Sequence, residues 1–365
     1  MKKGRLLLKV APVLLCLGLA TCSKTDSVAP VIKTDLNAAV TAANLLLTTT
    51  FEGVAAGNYI RGSQATLAAA VATATTIAGI AEVTQATVTN ATANLNAAVT
   101  TYGTQIVVPI DPTNLVGQWT FDQIPATTVG AVVKDYSGNS RDGTIKAGHT
   151  FWNAGGAGIL PTLAADRYGV ANKALRFNKG SNVEIPYNTA LNPATMSISV
   201  WVKQDVQPTI FPDQYMIAMN RWNGYKFQMQ SSPRPFFTAT YDDPAALPPA
   251  VKKCCYDRDN DVTLPQGNWW HVVITFGGGN MTFYVNGALT KNWTNVGTVS
   301  SLAAAPVNLV FGQDLPTGGY NAIDPNAPNY LNYGGYFVGT LDEIRIYKSV
   351  LTAAQVTSIY TVEKP

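Results

Sequence analysis

The chain has 365 residues, of which 47% are hydrophobic, with 25 Lys and Arg against 22 Asp and Glu. Four of the basic residues lie within the first nine positions, so removal of that segment (25 less four) leaves 21 basic against 22 acidic residues. Proteins that bind nucleic acid present a strong excess of positive charge. The composition therefore predicts no nucleic-acid partner and favours folded domains with packed cores.

Residues 1–22 have the pattern of a secretory signal, in which a basic head precedes an apolar run that is too short for a stable spanning helix. The run ends in LATC at 19–22, which resembles a bacterial lipobox and implies a lipid on Cys22. The alternative is an ordinary cleaved signal in which Cys22 has no role. We expect an exported lipoprotein at the outer membrane or cell surface of a Gram-negative bacterium, in contact with the membrane only through its lipid anchor.

A short polar tether at 23–30 precedes a segment at 31–104 that is rich in Ala, Thr and Asn. A five-residue unit with Leu first and Val last recurs at 36–40, 67–71 and 95–99. This spacing places Leu and Val on the same helical face. We therefore predict a three-helix bundle with helices near 34–50, 63–79 and 84–102.

The helical segment resembles the spacer modules of bacterial surface proteins that include the FIVAR group. This resemblance implies a stalk that lifts the next domain off the membrane. The alternative is that the bundle itself binds a glycan or a partner through the polar loop at 57–62. A linker at 105–111 follows, because Pro109 and Pro112 cannot continue the third helix.

Residues 112–365 have the alternating pattern of β-strands. Apolar side chains occupy every second position at 196–203, 270–276 and 281–285, which places them on one face of a sheet. Asn286 and Gly287 supply a tight turn, and Thr352 begins a capping box for a short C-terminal helix. The pattern predicts two stacked antiparallel sheets.

Five segments of this region add a more specific signal. In chain order they are LVGQWTF at 115–121, MSISVWVK at 196–203, WHVVITF at 270–276, FYVNG at 283–287 and GTLDEIRIY at 339–347. Together they resemble a laminin G-like domain of the concanavalin A-like jelly-roll superfamily, over roughly residues 112–362. The resemblance implies a β-sandwich that binds glycans or proteins and often carries calcium.

A loop at 135–143 offers oxygen donors at Asp135, Asn139 and Asp142, with glycines that let the chain fold around a point. Calcium takes six to eight oxygen ligands in flexible geometry. The family resemblance implies that Asp342 meets this loop around a structural calcium ion. The alternative is an Asx-rich turn whose side chains bond their own backbone.

A glycoside hydrolase is the enzymatic alternative, because such enzymes share the concanavalin A-like fold. It needs two carboxylates on the same face about 5 to 10 Å apart. Asp342 and Glu343 are consecutive, so we expect them on opposite faces of their strand. The acidic run at 257–261 is expected in a loop, as a solvated cluster or a second ion site. We therefore predict a protein without catalytic residues.

Aromatic side chains mark the predicted ligand site. A long insertion at 313–336 carries several tyrosines among asparagines, and a turn at 220–225 adds a second aromatic group. The predicted ligand-binding residues are Arg221, Trp222, Tyr225, Tyr320, Tyr330 and Tyr333. Flat rings beside polar groups favour a polysaccharide or a glycoprotein glycan. The alternatives are an adhesin surface for a host or matrix protein and rings that only pack over the sandwich edges.

Two adjacent cysteines, Cys254 and Cys255, remain after the signal and the lipid candidate. In an oxidising compartment thiols tend to pair. Neighbouring residues close a strained and readily reduced ring. The two possibilities are a vicinal disulfide and a pair of free cysteines in a loop.

Overall fold

A computed structural model describes residues 29–207, 213–242, 252–294, 296 and 306–365. It begins with three α-helices, α1 (Thr34–Thr49), α2 (Ser63–Gly79) and α3 (Gln85–Gly103). The repeated leucines Leu36, Leu67 and Leu95 are all buried in one cluster, which confirms the predicted bundle. None of the helices in the described ranges combines the length and the apolar composition needed to span a bilayer.

Two antiparallel sheets follow, numbered here by strand in chain order. The first sheet contains, in spatial order, β14 (Ala288–Trp293), β13 (Asn280–Val285), β12 (Trp270–Gly277), β7 (Met196–Gln204), β16 (Gly339–Tyr347), β5 (Ala174–Phe177) and β4 (Thr162–Ala164), with β1 (Leu115–Trp119) paired to β16. The second contains β11 (Lys252–Asp259), β10 (Pro235–Asp242), β9 (Tyr225–Met229), β8 (Gln214–Met219), β15 (Leu309–Phe311), β6 (Asn182–Ile185), β3 (Gly143–Lys146) and β2 (Val132–Val133).

One core lies between the sheets, and its side chains follow the predicted alternation. Met196, Ile198, Val200 and Val202 of β7 are fully buried in it. The alternate residues of β12 and β13 line the same core and are fully buried at Val272, Ile274, Met281 and Phe283. Each fully buried aliphatic side chain contributes about 1.5–3 kcal/mol of transfer free energy. The described part of the chain is thus a helical bundle followed by a jelly-roll β-sandwich, as the sequence pattern predicts.

A fourth helix, α4 (Ala353–Glu363), packs against the outer face of the first sheet. Its N-terminus has the predicted capping box between Thr352 and Gln355. Tyr360 of this helix stacks over Trp201 and His271, with ring centroids 5.9 Å and 6.0 Å apart. The helix therefore buries the polar and aromatic side chains on the outer face of β7 and β12.

A β-bulge in β16 corrects one prediction. The pairing of β16 with β7 shifts register between Asp342 and Arg345, and Glu343 has a φ of 50°. As a result Asp342 and Glu343 lie on the same side, with oxygens 2.7 Å and 4.0 Å from the Arg167 guanidinium. Strict alternation predicts opposite faces, and a bulge adds one residue that breaks the alternation.

The acidic run at 257–261 corrects a second prediction. The strand β11 runs through Asp259, and Asp257 pairs across to Thr238 of β10. The sequence predicts a loop here because prolines and cysteines flank the run. The strand forms nevertheless because β10 supplies its backbone hydrogen bonds.

The connection between bundle and sandwich is fixed at both of its ends. The backbone N of Ile60 in the bundle donates to Gln105 O at 2.9 Å. On the other side, Val108 N donates to Ser358 Oγ of α4 at 2.9 Å, and Gln355 Nε2 donates to Pro109 O at 2.9 Å. The predicted linker at 105–111 is thus an ordered part of the contact between bundle and sandwich.

Lowering the pH from 6.5 to 4 should destabilise the fold through His271. Burial lowers the pKa of His271 to about 4, against 6.5 for the free side chain. The unfolded chain therefore binds the extra proton in this window, and the stability present above pH 6.5 is lost as the pH falls. The loss should reach about 3 kcal/mol at pH 4. Urea unfolding at both pH values measures it, and His271→Gln should lose less; an equal loss in both proteins would contradict this role.

Candidate functional site

A buried ion pair lies where the second sheet meets the long insertion at 313–336. Arg221 comes from the turn between β8 and β9, and its Nε donates to Oδ2 of Asp314, which follows β15. Both side chains are 0% exposed. Asn220 and Arg221 have φ values of 64° and 54°. Residues other than glycine rarely adopt this left-handed backbone region. This strained turn directs the guanidinium into the protein.

The Arg221 guanidinium holds the second half of the insertion. Its Nη1 donates to Pro328 O at 3.1 Å and to Tyr330 O at 3.0 Å. It also lies 5.1 Å from the ring of Trp222 and 5.6 Å from the ring of Tyr320, distances at which a cation is attracted to an aromatic face. One buried cation therefore fixes two backbone positions and two rings.

The Asp314 carboxylate holds the insertion at two further points. Its Oδ1 accepts from Tyr320 Oη at 2.5 Å and from Gly335 N at 3.3 Å. Burial raises the pKa of Asp314, and the neighbouring Arg221 opposes that rise. A side chain at Gly334 would approach Arg221 Nη2 to 3.0 Å, so the chain passes close over the pair.

Rings from the insertion and from two other loops form a surface that we call the aromatic rim. Its members are Phe151, Trp152, Trp222, Tyr320, Tyr330, Tyr333 and Tyr336. The centroid of Trp152 lies 5.0 Å from Phe151, 6.3 Å from Tyr320 and 5.3 Å from Tyr336. Tyr333 lies 5.2 Å from Tyr330 and 6.5 Å from Trp222. The Arg221 guanidinium joins these two groups.

Part of the aromatic rim is open to solvent. Phe151 is 48% exposed and Tyr333 is 51% exposed. A shallow cleft of about 570 Å³ lies beside them, lined among others by His149, Leu331 and Asn332. This volume falls within the range of small-ligand sites, which combine apolar rings with a few polar groups.

The predicted ligand-binding residues fall into two sets. The first set lies in the aromatic rim, where each side chain is at least partly exposed to solvent: Trp222, Tyr320, Tyr330 and Tyr333. Tyr225 is wrong as a ligand contact because it is fully buried in the sandwich core, where its hydroxyl donates to Leu191 O at 2.9 Å.

The prediction for Arg221 is also wrong as a direct contact, since its side chain is fully buried. It is a positioning residue that acts through the rings and carbonyls it holds.

Phe151 and Trp152 belong to the rim and were not predicted. They lie in a glycine-rich loop more than 150 residues from the insertion, so only the tertiary fold brings the two together. Trp152 reaches the insertion across Gly180, where a Cβ atom would come within 2.4 Å of Trp152 Cδ1. Adjacent aromatic residues in a glycine-rich loop are the only signal for this part of the site in the sequence.

The loop at 135–143 does not fit the predicted calcium ion. Both oxygens of Asp135 are occupied by donors of the protein: Oδ1 accepts from Gln118 N and Ser137 N, and Oδ2 accepts from Ser137 Oγ and Arg141 N, all within 3.0 Å. These bonds are those of an Asx-type turn. The carboxylate therefore organises the loop backbone.

The two other carboxylates predicted to bind calcium are engaged elsewhere, and Asn139 is held against β1 through its amide nitrogen. Asn139 Nδ2 donates to Leu115 O at 2.8 Å. Asp142 accepts from Lys134 Nζ and from Asp135 N, both at 2.9 Å. Burial raises the pKa of Asp342 to about 8, while its ion pair with Arg167 opposes the rise. Across the described ranges, no three His, Cys, Asp or Glu side chains form a group that could hold a metal ion.

The cysteine predictions are resolved in part. Cys255 is disulfide-bonded, and its Sγ lies 3.5 Å from Trp222 O beside the rim. The side chain of Cys254 lies outside the described residues, so the vicinal pairing stays a prediction. Cys22 and its predicted lipid also lie outside the described residues.

The chain carries a laminin G-like domain of the concanavalin A-like lectin/glucanases superfamily, because the model of that family matches residues 177–357. The match runs from β6 into the first half of α4 and includes the insertion with most of the aromatic rim. Phe151 and Trp152 lie outside it. No curated protein sequence matches the chain.

Several solved structures are similar in fold. Domain 4 of AbnA, a GH43 extracellular arabinanase from Geobacillus stearothermophilus solved with arabinotriose, is 20% identical; the match covers 68% of this chain and 98% of that chain, with a TM-score of 0.44. The binding domain of Paraclostridial Mosquitocidal Protein 1 is 15% identical over 68% and 52% of the two chains, with a TM-score of 0.47. The binding domain of Botulinum Neurotoxin DC, solved with SialylT, is 13% identical over 68% and 51%, with a TM-score of 0.43.

Removing the charge of Asp314 should loosen the insertion. Asp314→Asn leaves the buried guanidinium of Arg221 without a counter-ion, which costs about 3–5 kcal/mol when a buried pair is broken. We expect new proteolytic cleavage between residues 313 and 336, with the bundle intact. Limited proteolysis followed by mass spectrometry measures this, with the exposed Asp324→Asn in the same insertion as the control. Equal resistance of Asp314→Asn and wild type would contradict the positioning role.

Proposed function

We propose that the protein is a non-catalytic carbohydrate-binding protein whose aromatic rim stacks against the rings of a glycan. The supporting observation is a set of partly exposed rings held in place by the buried Arg221–Asp314 pair. Sugars present flat patches of C–H groups edged by hydroxyls. Aromatic faces cover such patches well, and tyrosine hydroxyls and loop amides beside them supply hydrogen bonds.

The fixed backbone of the rim favours binding. A site that is already ordered loses little conformational entropy when the ligand arrives. The aromatic rim meets this requirement because Tyr320 and Tyr330 are bonded to buried charged groups. Tyrosine adds large contact area with few rotatable bonds. A rigid, ring-lined surface of this kind supports recognition of an extended polysaccharide.

The carboxylates near the rim and at the bulge of β16 are already engaged by other protein groups. This supports a role in binding without catalysis. A glycoside hydrolase needs one carboxyl group to protonate the leaving oxygen and a second to attack or activate water. Asp314 is fully occupied by Arg221, Tyr320 and the backbone of the insertion. Asp342 and Glu343 share a side, but they are paired with arginines next to α4. Each of these acids has a structural partner in place of a substrate.

The cellular setting is part of the same proposal. The signal at 1–22 and a lipid on Cys22 would hold the protein at the outer membrane or cell surface of a Gram-negative bacterium. The three-helix bundle would then carry the sandwich away from the membrane, with the glycan of a polysaccharide or glycoprotein as ligand. A surface protein as partner is the competing outcome, since tyrosine-rich surfaces also bind proteins.

A glycan array tests this function. The chain lacking residues 1–22 should bind at least one class of polysaccharide, and Phe151→Ala or Tyr333→Ala should each weaken that binding about tenfold, as expected for a ring that anchors an interface. Phe51→Ala removes an exposed ring of the bundle and is the matched control. Because the Asp135 loop does not fit calcium, EDTA should leave the affinity unchanged.

Two results would contradict the proposal. A blank array with wild-type protein, in calcium and in EDTA, would favour a protein partner. Normal glycan binding by both rim variants would place the sugar elsewhere on the molecule.

A further inference from the structure

The cleft beside the aromatic rim contains a histidine with one free ring nitrogen. His149 lines this cleft and is half-buried. Its Nδ1 accepts a hydrogen bond from Phe151 N at 3.2 Å, so the ring caps the short 3₁₀-helix Thr150–Asn153. A ring nitrogen that accepts carries no proton, and in the neutral imidazole the proton is therefore on Nε2. Nε2 has no hydrogen-bond partner among the described residues, and it offers the cleft one N–H donor.

The insertion supplies an acceptor to the same cleft. Asn332 lines the cleft and is exposed, and its Nδ2 donates to Tyr330 Oη at 3.0 Å. No residue in the described ranges donates to its Oδ1. Tyr330 Oη accepts the amide hydrogen and keeps its own O–H free to donate. A reversed amide would exchange these roles, so in either orientation Asn332 and Tyr330 together present one free donor and one free acceptor.

These polar groups are held in place before a ligand arrives. His149 is bonded to the loop backbone through Nδ1, and its ring centroid lies 6.0 Å from that of Tyr320. The backbone carbonyl of Tyr330 accepts from the buried Arg221. Groups that are already fixed lose little conformational entropy when a ligand binds. Donor and acceptor are thus preorganised in the cleft that the exposed ring of Phe151 also lines.

The charges around the cleft restrict the ligand. None of the described residues that line it is Asp, Glu, Lys or Arg. On the adjoining segments, Lys179 Nζ donates to Asn153 Oδ1 at 2.8 Å, and Asp324 accepts from Asn326 N at 2.9 Å. An acidic sugar would find no cation on these walls, and a basic ligand would find no carboxylate.

The polar groups also exclude a purely apolar ligand. Such a ligand would cover the Nε2–H donor of His149 and the amide oxygen of Asn332 without bonding to either, which is unfavourable. Neutral hydroxyl groups satisfy donor and acceptor alike, because each hydroxyl both donates and accepts. A ring that carries several hydroxyls on its edge and C–H groups on its face matches the cleft and the Phe151 ring together.

We propose that this cleft binds an uncharged sugar residue of the glycan and that His149 is its specificity-determining residue. The site rests on the proposed carbohydrate function and deepens it by naming the ligand class and two polar contacts. The C–H face of the sugar lies on Phe151. One sugar hydroxyl accepts from His149 Nε2, and another donates to Asn332 Oδ1. The ligand is thus a neutral polysaccharide or a neutral glycan.

Two substitutions at His149 separate sugar contact from loop capping. His149→Asn places an amide oxygen near the position of Nδ1, so it retains the cap on Phe151 N and loses the Nε2 donor. His149→Gln places an amide nitrogen near the position of Nε2 and keeps the donor. We expect His149→Asn to lose about tenfold in affinity and His149→Gln to stay within about threefold of wild type. Wild-type affinity in His149→Asn, or an equal loss in both variants, would overturn the contact.

Affinity electrophoresis with the full chain lacking residues 1–22 measures these affinities. The gels contain neutral β-glucan, xylan, arabinan or galactomannan, or acidic polygalacturonate or alginate. A neutral polymer should retard wild type, and Asn332→Ala should bind it about tenfold more weakly. Asn326→Ala removes an exposed amide of the same insertion outside the cleft lining and should bind as wild type does. Normal binding by Asn332→Ala, or retardation by the acidic polymers alone, would overturn the site.

Direct contact with His149 has a separate readout, because the chain has two histidines and His271 is fully buried. In protein with ¹⁵N-labelled histidine, the ring signals of His149 are assigned by their absence from His149→Asn. The Nε2 signal should shift when a short oligosaccharide of the retarding polymer is added. A residue that only caps the loop would leave the signal unchanged, and that result would overturn the contact.

The proposed function and this site can fail separately. If Tyr333→Ala loses binding while His149→Asn and Asn332→Ala bind normally, only the sugar site in the cleft fails. If wild type binds no polymer, both fail.

Discussion

The buried ion pair between Arg221 and Asp314 is the interaction on which the candidate site depends. Removing two charges from water is costly, and attraction between them repays the cost only when further hydrogen bonds complete the arrangement. Here those bonds come from the insertion, through Tyr320, Gly335 and two backbone carbonyls. The pair therefore converts a 24-residue segment at 313–336 with little regular structure into a fixed platform for rings.

The two outer faces of the sandwich have different neighbours. The first sheet is covered by α4, whose Glu363 pairs with Arg345 and accepts from Trp201 Nε1. Burial beneath this helix lowers the pKa of His271 and keeps it neutral. The second sheet carries Lys226 and Gln228 outward, next to the insertion. Buried charge pairs occur on both sides of the sandwich, between Arg345 and Glu363 beneath α4 and between Arg221 and Asp314 beneath the insertion. The aromatic rim lies on the second of these sides.

The fold was largely predictable from the sequence because its signals are local. Period-two alternation located β7, β12 and β13, and repeated Leu and Val residues located the three helices. The site was predictable only in part. Trp222 and the insertion tyrosines could be found from composition, but the burial of Arg221 and Tyr225 depends on partners distant in sequence. The same holds for Phe151 and Trp152. The bulge at Asp342 cannot be read from alternation, which assumes an unbroken strand.

The most direct test of the account is calorimetric titration of Asp314→Asn with a polysaccharide that wild type binds. Asp314 is fully buried and touches no solvent, so it cannot contact the glycan. We expect a large loss of affinity, because the rings lose their fixed positions while their chemistry is unchanged. Wild-type affinity in Asp314→Asn would show that the buried pair does not organise the binding surface.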